Sequence, residues 1–218
     1  MTPGEPLIRW DWIARNLDAI GQRLAEHVIL TSVAVGIGLL ISFALSIWIV
    51  RQPRWYGPVT WVTGILYTIP SLALFALLIP FTGLSLLTAE IGLVGYTLLI
   101  LIRNIVSGIQ SVPADVREAA LGMGYTQRQV LWQVELPLAL AVIIAGVRIA
   151  TVTTIGLTTV TALIGQGGLG YFILEGIQRF FSTPLIVGAV LSVTLAILVD
   201  GALVLVQRWL TPWTTTRS

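Results

Sequence analysis

VILTSVAVGIGLLISFALSIWIV, residues 28–50, carries no charged side chain at any position. A helix that crosses the hydrocarbon core of a bilayer needs roughly 20 predominantly apolar residues, and this run supplies them without interruption. Four further apolar runs follow, at residues 59–79, 91–109, 138–164 and 185–206. Pro70 lies inside the second, where it predicts a kinked helix and a freed carbonyl. Arg103 and Asn104 lie towards the end of the third, Arg148 interrupts the fourth and Asp200 falls near the end of the fifth. The expectation is an all-α integral membrane protein with five transmembrane helices, its two termini on opposite sides of the membrane. The chain divides into an N-terminal segment, 1–27, and a five-span domain, 28–218, with one long polar loop at 111–137.

Composition points to the same solvent. Hydrophobic residues make up 56% of the 218 and charged residues 10%, with a mean hydropathy of +0.92. Soluble domains carry about 25% charged residues, so this chain has too little polar surface to face water. A net charge of +2 argues against nucleic acid as a partner. All twelve basic residues are Arg, and without Lys the chain cannot build a phosphate-binding P-loop. If ATP is used, another polypeptide binds and hydrolyses it. The absence of Cys removes disulfides, thiolate metal sites and cysteine nucleophiles. His27, the only histidine, reads as an interfacial side chain, and no metal site is expected.

In residues 6–26, Trp10, Ile13, Leu17, Ile20 and Leu24 recur at steps of three and four, which places them on one helical face. A helix lying in the membrane interface fits that pattern. A cleavable signal peptide does not, because the next apolar run is too long and no small-x-small site follows. With the N-terminus outside, Arg51, Arg54, Arg117, Arg128, Arg208 and Arg217 face the cytoplasm, while Arg9, Arg15, Arg23 and Arg179 lie outside.

Residues 111–137, SVPADVREAALGMGYTQRQVLWQVELP, are far more polar than the flanking runs. Pro113 suits a helix start, and Asp115 and Glu118 favour the positive end of its dipole. Gly122 and Gly124 can both take the left-handed conformation that ends a helix. Thr126-Gln127-Arg128-Gln129 reads as a capping box opening a second short helix, which Leu136-Pro137 should stop. The local reading is helix, glycine turn, helix.

The spacing within this loop is specific: Glu118-Ala119-Ala120, three residues, Gly124, nine residues, Val134, one residue, Leu136-Pro137. It resembles the EAA loop of permease subunits from binding-protein-dependent, ATP-driven (ABC-type) importers, with Val134 where the pattern has Ile. The stretches 98–124 and 158–178 are similar to permeases for glycine betaine, choline and carnitine. Methionine permeases and those for other small polar nutrients share the loop and a related Gly-rich segment, and remain the alternative. The resemblance implies a type I importer fold in the cell (inner) membrane, N-terminus outside and C-terminus cytoplasmic. It implies cytoplasmic ATPase subunits that bind and hydrolyse ATP, a second permease copy or a similar permease, and an extracytoplasmic substrate-binding protein. Glu118, Ala119, Ala120, Gly124, Val134, Leu136 and Pro137 would then form the coupling helix that docks on the ATPase. This chain itself would hold no cofactor and no catalytic residue.

Within the spans, Thr151, Thr154, Thr158 and Thr161 form a hydroxyl stripe at steps of three and four, open to two readings, helix packing or pathway lining. Arg148, costly in lipid by about 2.5–3.5 kcal/mol on insertion scales, requires a partner. Asp200 is the candidate acid and Arg103 a competing cation. GQGGLG, residues 165–170, reads as a turn at the outer mouth, with Gly167, Gly168 and Gly170 as outer-gate candidates and Tyr171, Phe172, Phe180 and Phe181 as interfacial aromatics. An intramembrane enzyme would need a nucleophile with a base, paired carboxylates or a metal cluster, and the spans supply none of these. A passive channel would leave the EAA loop without a purpose.

Overall fold

The computed structural model describes residues 6–214, so Arg217 lies outside the described residues, as do the outermost parts of segments 1–27 and 28–218. Those residues form ten α-helices: α1 (Trp10–Arg15), α2 (Leu17–Arg51), α3 (Tyr56–Thr68), α4 (Ser71–Thr82), α5 (Leu86–Gln110), α6 (Ala114–Gly122), α7 (Gln127–Val130), α8 (Leu136–Thr158), α9 (Gly170–Gln178) and α10 (Ser182–Leu210). Helices α2, α5 and α10, together with the continuous stretch Gln127–Ile164, are each long and apolar enough to span a bilayer. Helices α3 and α4 are apolar enough only together, as a pair bent at a break, which gives five spans when that pair counts as one.

That break is sharper than a kink, and the expectation of one bent helix over 59–79 is corrected here. The two helices meet at 98° because Ile69 is extended (φ −66°, ψ 127°) and Pro70 also leaves the helical region, at ψ 136°. Proline disfavours helical backbone in the residue before it. The hydroxyl of Tyr96 on α5 donates to the Ile69 carbonyl, giving a partner to a group that lipid could not satisfy.

The amphipathic segment is likewise divided, at Asn16. Its first part is α1, and the rest belongs to the 35-residue helix α2. At about 1.5 Å per residue α2 is ~50 Å long, well beyond a ~30 Å hydrocarbon core. Helix α1 folds back on the start of α10. The backbone N–H of Arg9 donates to Thr183 Oγ1 at 2.9 Å, Ser182 Oγ donates to the Leu7 carbonyl, and Trp12 packs edge-on against Phe172 and Phe181. Trp10 and Leu17 stay exposed.

Helix α5 is the axis of the bundle, packed against α2, α8, α3 and α4. Leu101, Ile105 and Ile109 of α5 meet Ala139, Ile143 and Ala150 of α8 in the main core. Lipid tails are as apolar as leucine, so close backbone approach rather than water exclusion drives such contacts. Gly38 of α2 sits under Thr97, and Gly146 of α8 sits under Asn104, each so close that a Cβ would overlap the facing side chain. By contrast α10 buries little of its apolar length within the chain, leaving Val190, Val193, Ile197 and Leu198 outward.

Gly146→Leu forces overlap with Asn104 and separates α8 from α5. It should cost about 1–3 kcal/mol, seen as a lower thermal midpoint of the detergent-purified protein.

Candidate functional site

Helix α6 and its flanks form a polar lobe at one end of the bundle. Pro113 precedes α6, Asp115 lies in its first turn, and the chain then closes in a double hydrogen bond. Tyr125 N–H reaches the Ala120 carbonyl at 3.2 Å and Gly124 N–H reaches that of Leu121 at 2.9 Å. This is the Schellman arrangement, whose turn residue is left-handed. Gly124 alone occupies that position (φ +89°), so Gly122 is not required to turn. Thr126 and Gln129 close the capping box, Gln129 N–H to Thr126 Oγ1 at 3.3 Å and Thr126 N–H to Gln129 Oε1 at 2.8 Å.

Two features of this lobe differ from expectation. Ala120 is buried against the bundle, while Glu118, Ala119 and Gly124 are exposed, so the four do not share one exposed surface. Exposed Leu121 and Met123 extend that surface instead. The second short helix does not stop at Leu136-Pro137 either. Residues Leu131–Glu135 form a π-helical turn that carries α7 into α8, and Pro137 sits in the first turn of α8, where the missing N–H is tolerated. Val134 and Leu136 therefore lie within one continuous rod.

Arg117 fixes the lobe to that rod. Its Nε lies 2.7 Å from Glu135 Oε1 in an ion pair, and its Nη2 donates to the Ile109 carbonyl at the end of α5. The pair joins residues 18 apart across the glycine turn, a separation that no local spacing rule predicts. Its signal in the sequence is slight: Glu135 is the only acid between Glu118 and Glu175.

Between α8 and α10, Arg148 and Asp200 form a partly exposed, two-pronged pair, Nε to Oδ1 at 2.8 Å and Nη2 to Oδ2 at 2.9 Å. Gln207, two turns beyond Asp200, accepts from Arg148 Nη1 at 3.3 Å and donates to the Ala141 carbonyl. Arg103 is exposed on α5 and is not part of this group. The threonine stripe turns inward. Thr154, Thr158 and Thr161 are fully buried and Thr151 nearly so, each hydroxyl returning to a carbonyl of the preceding turn. Thr158 also meets Thr31 of α2. Of the two readings, the burial of these four and their back-bonded hydroxyls favour helix packing.

At the opposite end, the turn 165–170 packs onto α2. Gly168 (φ +84°) donates its N–H to Glu26 Oε2 at 3.1 Å, the oxygen that also receives Arg23 Nη1 at 2.8 Å. Arg23 stacks on the Tyr171 ring. A Cβ on Gly167 would strike Glu26, and one on Gly170 would strike the Thr159 carbonyl. Phe172 is buried, whereas Tyr171 and Phe180 are exposed.

His27 is fully buried rather than interfacial. Leu169 N–H donates to Nδ1 at 3.2 Å, so Nε2 carries the proton and donates to the Ile155 carbonyl at 3.0 Å. That carbonyl is free because Thr159 N–H bonds Gly156 instead. One imidazole thereby joins α2, α8 and the glycine turn. Among the described residues no three His, Asp or Glu side chains come together as a metal-binding group.

The family profile described as "Binding-protein-dependent transport system inner membrane component" matches residues 28–212. Curated relatives include the osmoprotectant import permease protein OsmW of Salmonella typhimurium, 40% identical, covering 86% of this chain and 89% of the relative. Another is the choline transport system permease protein OpuBB of Bacillus subtilis, 36% identical over 86% of each. Among solved structures, the inward-facing MetNI methionine ABC transporter superposes with a TM-score of 0.82 at 24% identity, covering 90% of this chain and 98% of that one. At that identity the likeness is one of fold.

Asp200→Leu leaves Arg148 without its two-pronged carboxylate partner and should lower the thermal midpoint. Adding Arg148→Met should recover most of the loss, as read from thermal midpoints across the double-mutant cycle.

Proposed function

The chain belongs to the family of inner membrane components of binding-protein-dependent transport systems, and we propose that it is the permease of an ATP-driven importer for a quaternary-amine osmoprotectant. The observation that carries the substrate class is the 40% identity to an osmoprotectant import permease across nearly the whole chain. The choline permease at 36% supports it. In this reading two permeases, two copies of this chain or this chain and a similar one, enclose the pathway. Cytoplasmic ATPase subunits bind and hydrolyse ATP, and an extracytoplasmic binding protein delivers the solute.

Helix α6 is the coupling element. Glu118, Ala119, Gly124, Leu121 and Met123 form its outward surface, where Glu118 suits a cation across the interface. Motion imposed there reaches α8 through Arg117–Glu135 and the unbroken run from Gln127. With this lobe cytoplasmic, the N-terminus and the glycine turn lie outside and the C-terminus inside. The flanking arginines support that orientation. Gly167, Gly168 and Gly170 then belong to the outer gate, as the hinge that lets the turn lie flat on α2.

In cells lacking their own betaine uptake, expression with the ATPase and binding protein should restore glycine betaine uptake at high salt. Glu118→Arg with Gly124→Trp should abolish it while the protein remains in the membrane, and undiminished uptake would overturn the coupling role. Gly168→Leu, placing a side chain at a left-handed backbone position, should lower uptake while ATPase association persists in pull-down.

A further inference from the structure

Between the N-terminal parts of α2 and α5 and the glycine turn lies a cavity of about 390 Å³, at the end of the bundle away from α6. Arg23, Glu26, Glu90 and Gln166 contribute polar groups to it, and Leu30 and Val33 apolar wall. The volume falls within the range of small-molecule sites, about 300–1,000 Å³. The charges in it do not balance. Glu26 is committed to Arg23 and to the Gly168 N–H, so that pair is neutral. Glu90, in the second turn of α5, has its Oε2 buried with no hydrogen-bond partner. A buried carboxylate oxygen without a donor is expensive, and the bundle offers Glu90 no such relief as Arg148 gives Asp200.

We propose that this cavity receives the quaternary ammonium head of the transported solute and that the Glu90 carboxylate recognises its charge. The inference rests on the importer reading and adds to it a position for the solute at the outer end. A cation completes the local charge balance. Contact with the apolar Leu30 and Val33 walls favours a head that carries methyl groups. The quaternary form follows from the importer reading rather than from the Glu90 and Gln166 oxygens, which accept N–H donors equally well. A trimethylammonium group has no N–H, and its methyl surface suits those walls while its charge meets the carboxylate. Glu90 adjoins the turn that carries the gate glycines, since Gly167 and Gln166 line the same cavity. A solute held there is under the gate.

The test uses the permease assembled with its ATPase subunits in lipid nanodiscs, and radiolabelled choline as probe. The wild-type complex should bind choline in competition with tetramethylammonium and not with ammonium. Glu90→Gln, close in shape but uncharged, should weaken binding on the order of tenfold, and Glu90→Asp should restore most of it. Size-exclusion chromatography verifies that each variant assembles. Choline binding by Glu90→Gln within twofold of wild type, or no tetramethylammonium-sensitive binding by the wild type, overturns the site. Wild-type reconstituted vesicles with ATP and binding protein separate the two readings. Choline import unaffected by Glu90→Gln refutes the site alone, and choline bound but never imported refutes the importer reading.

Discussion

In lipid every backbone polar group must find its partner inside the protein, and no hydrophobic force gathers the helices. The fold answers both demands at α5. Gly38 and Gly146 bring α2 and α8 against it, so the three long helices touch through small residues and dispersion accumulates over their lengths. Where the backbone does leave the helix, α5 or α2 supplies the missing group: Tyr96 for the Ile69 carbonyl, His27 for the Ile155 carbonyl. The irregular segments are tolerated because they lie against this axis.

The same rigidity gives the polar lobe its mechanical character. A short helix joined to the bundle by a flexible loop would absorb a push without passing it on. Here the Schellman closure at Gly124, the capping box at Thr126 and the ion pair Arg117–Glu135 leave little slack between α6 and α8. The π-helical turn at Leu131–Glu135 keeps the rod continuous through Pro137. At the far end, α8 meets α2 through His27 and Thr158, and along its first half and middle it meets α10 through Arg148, Asp200 and Gln207. A displacement of α6 therefore has a packed route to the glycine turn.

Much of this was legible residue by residue. Apolar runs give the spans because length and the absence of charge suffice to choose lipid as solvent. Thr126 and Gln129 give their cap because capping depends only on residues three apart. The pairing of Arg148 with Asp200 was legible because a lone Arg in lipid demands a partner and few acids exist. Less legible were Arg117–Glu135, Gln207 and the unpartnered Glu90, for no local rule joins residues that far apart. His27 was misread for a related reason: its place near the end of an apolar run says nothing of what faces it.

By itself, then, the sequence determined the solvent, the helical class, the loop with its caps and the family, since each depends on composition or on spacing within a few turns. Only the tertiary structure decided that 59–79 is a right-angled pair, that the threonines pack, that Ala120 turns inward and that the glycine turn rests on Glu26 and His27. These outcomes depend on which faces of distant helices meet. Rotating a helix about its axis changes those faces completely while leaving its sequence pattern, and its suitability for lipid, untouched.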